Sequence, residues 1–197
     1  MLHGRRVAPL PIDLSDVQRR SVTSLFSNLV TRPTGRAIRT GVESQIAEMD
    51  GERQITLSIL DFSQVRVLDY SCADEIVAKL LLRYVGDERP AEAFFVVRNV
   101  QEHHVEAIEA VLERHSLLLV ACQDGEPAEL LGTADPLHRA LWQALVRRGR
   151  ASRAELADDT GLPREAVTAA LADFYLKRVA AVHVDGAVSP ISAFLQD

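Results

Sequence analysis

A chain of 197 residues can form one large or two small domains, and its content of 47% hydrophobic and 25% charged residues is typical of a globular protein. The net charge of −6 excludes a chain-wide basic surface for nucleic acid or acidic membrane, although a local basic patch is compatible with it. No apolar run reaches the roughly 18 residues of a membrane-spanning helix. The two cysteines, Cys72 and Cys122, are far apart and suggest no disulfide framework. We therefore expect a protein of the reducing cytoplasm.

The first part of the chain, residues 1–11, contains two prolines and no long apolar segment, and its His3, Arg5 and Arg6 are expected to be exposed. This composition predicts a flexible N-terminus that is not a signal peptide. A short edge strand is expected at 12–15. A helix is then predicted as far as about Val30, because apolar residues follow an uneven helical spacing: Val17, Val22, Leu25, Phe26 and Leu29.

A second helix is predicted at 35–49, after a break at 31–34. Three arginines surround its N-terminus: Arg32, Arg36 and Arg39. Because the free amides and the dipole of a helix N-terminus favour anions, these residues are candidates for binding a phosphate or an acidic partner. The alternative is a solvated basic face. Asp50-Gly51 is expected to turn the chain into the next strand.

The stretch 55–85 organises the sequence. It combines a strand at 55–62, an extended piece at 65–68 and a helix that begins near Ser71, with apolar residues at spacings of three and four. Ser71 is a candidate cap for this helix, and Asp74 and Glu75 lie in its first turn, where the dipole favours negative charge. Asp69, Tyr70 and Ser71 therefore form a polar tip between strand and helix.

Strands and helices alternate after this unit. Strands are predicted at 93–97, 117–122 and 128–131 and a helix at 100–116, and the apolar run 93–97 is typical of a strand buried on both faces. The alternation predicts an α/β layer. Its loops would gather Asp69, Asn99 and Gln123 at the carboxyl ends of the strands, where an open α/β sheet binds ligands.

Several short motifs resemble STAS domains, the fold of sulfate transporters and anti-sigma-factor antagonists. They are Leu60-Asp61-Phe62-Ser63-Gln64-Val65 and Leu68-Asp69-Tyr70-Ser71-Cys72. The chain is most similar to a bacterial STAS-like family of unknown function, in which a Thr-Arg motif precedes this region and the helix opens with Ala-Asp-Glu. Thr31-Arg32 and Ala73-Asp74-Glu75 match that pattern. The resemblance covers roughly 10–131 and implies a mixed sheet with helices and a regulatory role.

In anti-sigma-factor antagonists the serine directly after the aspartate is phosphorylated, whereas this chain has Tyr70 at that position. Ser71 matches only the following serine. Ser71 or Tyr70 is therefore interpreted as a contact for a regulatory partner protein or ligand, or as a modification point. The alternative is that Ser71 only caps the helix. Asp61 and Asn99 complete the residues assigned to the tip.

Enzymatic chemistry has little support in the sequence. His103 and His104 cannot share one helix face and His115 lies three turns further on, so all three are expected on the surface and no metal site or other cofactor is predicted. Phosphate-binding glycine loops and the common serine or zinc motifs do not occur. An enzyme would need a hidden site at Asp61, Asp69, Ser71 and Asn99, which is the least favoured alternative.

Residues 134–197 follow a different pattern. A helix is predicted from Asp135-Pro136 to Arg148, a capping box of Ser152 and Glu155 starts a short second helix, and a third helix spans 164–178. A hairpin with a two-residue type I′ turn at Asp185-Gly186 is expected to follow. This order, and the motifs from Ser152 through Thr160-Gly161-Leu162 to Leu171, resemble the winged helix-turn-helix of bacterial regulators.

The resemblance implies a third helix that enters the DNA major groove and a wing that touches the backbone. The candidate DNA-binding residues are Arg153, Arg164, Thr168, Lys177, Arg178 and His183. From Asp135 on there are eight basic and eight acidic residues, so strong binding to DNA would need a homodimer that doubles the contacts. The alternative is a winged helix that docks on another protein.

The sequence thus predicts a flexible N-terminus at 1–11, a STAS-like α/β domain at 12–133 and a winged helix at 134–197. We interpret the protein as a non-enzymatic regulator whose STAS-like domain senses a partner protein or ligand and whose winged helix acts on double-stranded DNA. The main alternative is an interaction scaffold that binds a partner protein and no DNA.

Overall fold

The computed structural model describes residues 2, 5–21, 28–49 and 54–195. Three sets of predictions lie outside these ranges: the exposure of His3, the apolar helix positions Val22, Leu25 and Phe26, and the Asp50-Gly51 turn.

The fold is α/β and is built on a mixed five-stranded sheet with strand order β1-β3-β5-β6-β7. Its first four strands run parallel, and the last one is antiparallel to its neighbour. The strands are β1 (Arg6–Asp13), β3 (Gln54–Asp61), β5 (Ala93–Arg98), β6 (Leu118–Cys122) and β7 (Glu129–Gly132). A separate parallel pair joins β2 (Asn28–Leu29) to β4 (Val67–Leu68).

The helices that follow the sheet strands lie mostly where the apolar periodicity predicts them. They are α1 (Leu14–Ser21), α2 (Arg32–Met49), α3 (Tyr70–Ala73), α4 (Lys79–Val85), α5 (Glu102–Arg114), α6 (Pro136–Arg148), α7 (Arg153–Thr160) and α8 (Arg164–Leu176). A π-helical turn, Asp74–Ala78, connects α3 to α4, and a hairpin of β8 (Ala180–Val182) and β9 (Val188–Pro190) precedes a 3-10 helix, Ile191–Leu195. Among the described helices, none has both the length and the apolar character needed to cross a membrane.

The prediction of a flexible segment through residue 11 is wrong from Arg6 onward, where β1 begins. Val7 and Ile12 are buried on opposite sides of the sheet, and this burial stabilises an ordered strand. The prolines at positions 9 and 11 are compatible with β1 because it is the edge strand of the sheet.

The prediction of a helix as far as Val30 is wrong at its end. Helix α1 is described over Leu14–Ser21, and Asn28–Leu29 forms β2 instead of helix. Leu29 is fully buried and is paired in register with Leu68. This long-range pairing determines the conformation of Leu29, whereas the helical spacing of the local sequence does not.

The hairpin after α8 does not contain the predicted two-residue type I′ turn. His183 N–H donates to Ala187 O at 2.8 Å and Gly186 N–H donates to His183 O at 3.0 Å, so three residues connect the paired ends. Gly186 has φ 82°, the left-handed conformation that a three-residue hairpin loop requires at this position.

The sheet is covered by apolar side chains on both faces. On β5 the neighbouring residues Phe94 and Phe95 belong to different core clusters, and every residue from 93 to 97 is buried, as the sequence predicts. Phe95 lies in the cluster that contains Ile38 of α2 and Leu80 of α4. Phe94 lies in the cluster that contains Trp142 of α6. Residues 134–195, here called the C-terminal unit, therefore complete the core of the sheet.

A partly buried arginine adds polar contacts between the C-terminal unit and the sheet. Arg178 Nε donates to Ala93 O at 2.9 Å and its Nη2 lies 3.0 Å from Glu92 Oε2. The guanidinium carbon also stacks 4.7 Å from the centre of the Phe94 ring. The predicted domain boundary at residue 133 stays a prediction, but one core cluster and one partly buried ion pair cross it.

Because one core crosses the predicted boundary, we expect the chain to unfold in a single transition. Trp142, the only tryptophan, reports on the C-terminal unit, so its fluorescence and the far-UV circular dichroism should give the same urea midpoint. Phe95→Ala, on the face away from Trp142, should lower both midpoints together, at a cost of about 3–5 kcal/mol. A tryptophan midpoint that stays unchanged in this variant would show that the two parts unfold independently.

Candidate functional site

Two segments that are distant in sequence, residues 31–36 and 69–75, pack against each other and are here called the junction. Thr31 N–H donates to Asp69 Oδ2 at 3.0 Å, and Cys72 Sγ–H donates to Thr31 O at 3.0 Å. Asp69 N–H in turn donates to Leu29 O at 3.0 Å. These bonds tie the loop before α2 to the start of α3.

Thr31 adopts a backbone conformation that β-branched residues rarely have. Its φ is 79°, in the left-handed region, which costs on the order of 1–3 kcal/mol for such a residue. Local hydrogen bonds hold it there: Thr31 Oγ1 lies 3.1 Å from Thr34 Oγ1, and Gly35 N–H donates to Thr31 O at 3.1 Å. Strain of this kind is common where a loop is positioned for binding.

Asp69, and not Ser71, is the N-cap of α3, so the predicted capping role of Ser71 is wrong. The carboxylate accepts from Cys72 N–H at 2.7 Å through Oδ1, while its Oδ2 accepts from Thr31 N–H. Ser71 Oγ donates to the same Oδ1 at 2.9 Å. One carboxylate thus caps a helix and also fixes a second segment 38 residues away in sequence.

These bonds lower the pKa of Asp69. Partial burial alone would raise it, but the amides of Thr31 and Cys72 and the Ser71 hydroxyl stabilise the charged form more strongly. Asp69 is therefore a poor general base at neutral pH. The Ser71 hydroxyl donates a hydrogen bond to Asp69, but this carboxylate is too weak a base to remove the hydroxyl proton.

The junction also contains a close approach between two helices. A Cβ atom on Gly35 of α2 would lie 2.9 Å from Glu75 Cβ and 3.0 Å from Cys72 Cα. Only glycine allows α2 to cross α3 and the π-helical turn at this distance. Gly35 is thus a packing residue that the sequence analysis treated only as a helix start.

A pair of buried carboxylates forms the inner part of the junction. Asp74 is 6% exposed and Glu75 is fully buried, both within the π-helical turn. Arg32 Nη1 lies 2.9 Å from Asp74 Oδ2 and 3.3 Å from Glu75 Oε1. π-helical turns are rare and are found frequently at functional sites.

Three further basic side chains complete this cluster. Arg39 Nη2 lies 3.3 Å from Glu75 Oε2, Lys79 Nζ forms an ion pair with Glu75, and His115 Nε2 lies 3.1 Å from Asp74 Oδ1. Burial alone would raise the pKa of both carboxyl groups, but His115 and Arg32 lower that of Asp74, and Lys79 lowers that of Glu75.

The three arginines predicted to bind an anion therefore do not form a free site. Arg32 and Arg39 are engaged by carboxylates of the protein itself, while Arg36 is exposed. The basic residues at the start of α2 and the acidic residues of the π-helical turn were both visible in the sequence. Their pairing depends on the crossing of two helices, which the sequence pattern did not predict.

Tyr70 is the exposed aromatic residue of the junction. Tyr70 is 51% exposed, and its hydroxyl donates to Glu106 Oε1 of α5 at 2.9 Å. The hydrogen bond to Glu106 raises the pKa of Tyr70, so the phenol stays protonated at neutral pH. Two exposed apolar residues, Val30 and Val67, lie in the β2–β4 region that leads to it.

Asp61 and Asn99 form a second cluster at the carboxyl ends of β3 and β5. Asp61 Oδ2 lies 2.8 Å from Arg98 Nη2, and Oδ1 accepts from Asn99 Nδ2 at 3.1 Å and from Ser63 N–H at 2.8 Å. Partial burial alone would raise the pKa of Asp61, but these donors lower it to about 2.

The predicted five-residue tip is therefore divided. Asp69, Tyr70 and Ser71 follow β4, which pairs only with β2, whereas Asp61 and Asn99 lie at the edge of the main sheet. Among the described residues, no hydrogen bond joins the two groups. Asn99 does approach the next strand, where its N–H donates to Cys122 O at 3.4 Å.

The expectation that all three histidines lie on the surface is wrong. His104 is fully buried, and its Nδ1 accepts from Gln101 N–H at 3.4 Å to complete a capping box. Burial and the neighbouring His103 lower its pKa, which favours the neutral ring. Within the part of the chain that the structure describes, no group of three or more His, Cys, Asp and Glu residues is arranged to hold a metal ion.

Two residues assigned to DNA binding have structural roles instead. Arg178 packs against the Phe94 ring and gives its donors to Ala93 O and Glu92, as described above. Lys177 Nζ lies 3.1 Å from Asp173 Oδ2 and 3.4 Å from Thr133 Oγ1. The sequence placed both near the end of the third helix but gave no sign that this end faces the sheet.

The other candidates for DNA binding differ in solvent exposure and in their hydrogen-bond partners. Arg153 and Arg164 are exposed near the starts of α7 and α8. Thr168 is exposed, and its Oγ1 donates to Arg164 O at 2.8 Å. His183 Nε2 lies 2.9 Å from Ser189 Oγ within the hairpin.

Comparisons with protein-family models, with curated proteins and with solved structures gave no match for this chain. Function is therefore inferred from the contacts of the junction and of the C-terminal unit.

We predict that Asp69→Asn costs about 1–3 kcal/mol at pH 7, because an amide cannot accept from both Thr31 and Cys72 through two oxygens. Ser71→Ala, which removes only a donor, should cost less than about 1 kcal/mol. Urea unfolding of the three proteins measures both values.

The cost of Asp69→Asn should also depend on pH. The folded pKa of Asp69 lies below its ordinary value of 3.8, so its stabilisation is complete above that pH and is lost as the pH falls through the folded pKa. The difference between wild type and variant should therefore shrink below about pH 4. A difference that is the same at pH 7 and pH 3 would contradict the ionised cap.

Gly35→Ala should lower the free energy of unfolding by about 1–3 kcal/mol, because the added Cβ meets backbone and Cβ atoms that cannot move independently. Gly86→Ala is the matched control, since nothing lies within 4 Å of its Cβ position. Thermal unfolding should separate the two variants. Equal stability of both would mean that α2 can shift away from the π-helical turn without cost.

Proposed function

We propose that the chain is a non-enzymatic cytoplasmic regulator in which a STAS-like unit binds a partner protein or ligand at the junction. The observation that carries this proposal is the contact between the two motifs of the STAS-like resemblance. Arg32 of the Thr-Arg motif lies 2.9 Å from Asp74 of the Ala-Asp-Glu motif, although 42 residues separate them. Motifs that meet in space define one site more convincingly than motifs that share only a sequence order.

The chemistry of the junction supports binding in preference to catalysis. Its inner carboxylates are held by Arg32, Arg39 and Lys79, so their charges are already compensated. Its outer residue, Tyr70, presents an aromatic ring and a hydroxyl at the surface, a combination enriched at protein interfaces. The alternative of an enzyme centred on Asp69 and Ser71 lacks support, since Asp69 is a weak base.

We further propose that the C-terminal unit is a winged helix that binds a second partner, in response to binding at the junction. Helices α6, α7 and α8 are followed by the β8–β9 hairpin, which is the winged-helix order. Ser152 and Glu155 form the predicted capping box, and Gly161, with φ 67°, ends α7 before the turn into α8.

The charges of this unit favour a protein as the second partner. Four of its cations are already paired with carboxylates: Arg148 with Asp159, Arg150 with Asp185, Lys177 with Asp173 and Arg178 with Glu92. DNA affinity depends on cations that are free to neutralise phosphates. Helix α8 instead exposes Tyr175 at 43% and Leu176 at 63%, together with Ala169 and Ala172.

Double-stranded DNA is the second candidate, and the observation that favours it is the exposure of Arg153, Arg164 and Thr168. Arg164 and Thr168 lie one turn apart on α8, the helix that would enter the major groove. So few contacts would require a homodimer to reach useful affinity.

A crosslinked pull-down of the tagged protein from its native cells distinguishes these outputs, with DNA and proteins identified from the same sample. The proposal expects an enriched protein and no discrete DNA sites. Discrete sites that disappear with Arg164→Ala would establish DNA as the output.

Tyr70→Ala should reduce capture of the junction partner at least ten-fold without changing the melting temperature by more than a few degrees, because half of Tyr70 is exposed to solvent. Leu82→Ala is the matched control, since Leu82 is also an exposed apolar residue, 44% accessible on α4. Equal capture by Tyr70→Ala and wild type would remove the junction from the proposed interface.

A further inference from the structure

Helix α5 begins with a buried histidine that the proposed function does not use. His104 is the third residue of α5 and is fully buried. Its Nδ1 accepts from Gln101 N–H at 3.4 Å, so the proton of the neutral ring lies on Nε2. This Nε2 is buried and has no hydrogen-bond partner among the described residues. A buried donor without an acceptor is rare in folded proteins, and this one requires an explanation.

Protonation of His104 adds two unfavourable contributions at this position. The added proton binds Nδ1, which then faces the N–H of Gln101, so two donors meet where one hydrogen bond was made. The charged ring is also excluded from water, because the side chain is fully buried. Both contributions disappear when the ring leaves its buried position and enters the solvent.

The surroundings of the ring offset this cost only in part. His103, the neighbouring residue on α5, opposes a second positive charge, whereas the Arg66 carbonyl before β4 favours it. That carbonyl already lies 3.1 Å from His103 Nε2. The Phe62 ring, directly after β3, packs with its centre 5.9 Å from that of His104. Burial is the largest effect, so the pKa of His104 lies below its ordinary value.

The other charged contacts of α5 with the junction lie further along the helix. Glu106 accepts from the Tyr70 hydroxyl, and His115 Nε2, just after the end of α5, lies 3.1 Å from Asp74 Oδ1. Acid does not break the contact of His115, because a protonated ring still donates to a carboxylate whose pKa is lowered. The two ends of α5 therefore respond differently to acid.

We infer that His104 is a pH-dependent switch that holds the start of α5 in place when neutral and releases it when protonated. The release opens the capping box and separates His103 from the Arg66 carbonyl and Glu106 from Tyr70. The end of α5 stays bound to the π-helical turn through His115. This switch goes beyond the proposed function and does not depend on it, although it also controls the surroundings of Tyr70.

The direction of the effect follows from the lowered pKa. Because the folded pKa of His104 lies below 6.5, the folded protein binds fewer protons than the unfolded one at mildly acidic pH. The stabilisation by the neutral ring is therefore complete above pH 6.5 and is lost as the pH falls towards the folded pKa.

Native-state hydrogen exchange of the full chain tests the switch, with each rate corrected for the intrinsic effect of pH. The amides of Val105 and Glu106 should lose protection about ten-fold between about pH 7 and pH 5, the size expected for one titrating group. At the lower pH their protection should lie well below that of Leu119 in β6, because the opening is local.

Two variants assign the effect to His104. His104→Gln keeps the capping box, because the glutamine oxygen accepts from the same amide but does not titrate. The amides of Val105 and Glu106 in this variant should therefore keep their protection in acid. His115→Gln is the matched control at the other end of the same helix, and it should show the wild-type loss of protection.

Imidazole resonances of the wild-type protein provide a second readout that does not depend on how the variants fold. The His104 ring should stay neutral below its ordinary pKa of 6.5, and its protonation should coincide with the loss of protection at Val105. A ring that titrates near 6.5 while Val105 stays protected would overturn the inference, since the buried position would then tolerate the charge. Equal pH dependence in His104→Gln and wild type would also overturn it.

Discussion

The central sheet must bury two apolar faces, and the rest of the structure depends on that requirement. Helices α2 to α5 cover one face and the C-terminal unit covers the other. If this unit separated from the sheet, residues such as Leu57, Phe94 and Val96 would meet water, at about 1.5–3 kcal/mol for each large side chain. Under the proposed function, a signal from the junction would therefore reach the C-terminal unit through small shifts of packed elements, because detachment of this unit would be too costly.

The junction contains two features that are unfavourable in free energy, a strained backbone and a buried charge, and contacts of the folded chain compensate them. Thr31 has an unfavourable backbone conformation, and Glu75 carries a charge in a fully buried position. Removing one partner of a buried ion pair leaves an uncompensated charge, which is more destabilising than the absence of the whole pair. Such arrangements are maintained where geometry matters more than stability, which is consistent with a binding surface.

Much of the fold could be predicted, since apolar periodicity located most helices and strands. Local chemistry also marked Asp135-Pro136 as a helix start and Ser152 as a cap. The site was harder to predict, because its decisive bonds join distant segments. The bond between Thr31 and Asp69 spans 38 residues, and that between Arg178 and Ala93 spans 85. Strand β2 has only two residues, too few to produce a periodic signal.

The π-helical turn has a consequence for how the sequence can vary. Such a turn accommodates one residue more than a regular α-helix does over the same rise. All five residues of the turn are buried here, including Asp74 and Glu75. In evolutionary terms the turn behaves as a single-residue insertion: a related chain that lost this residue would keep a continuous helix, but its two carboxylates could no longer both point to the arginines of α2.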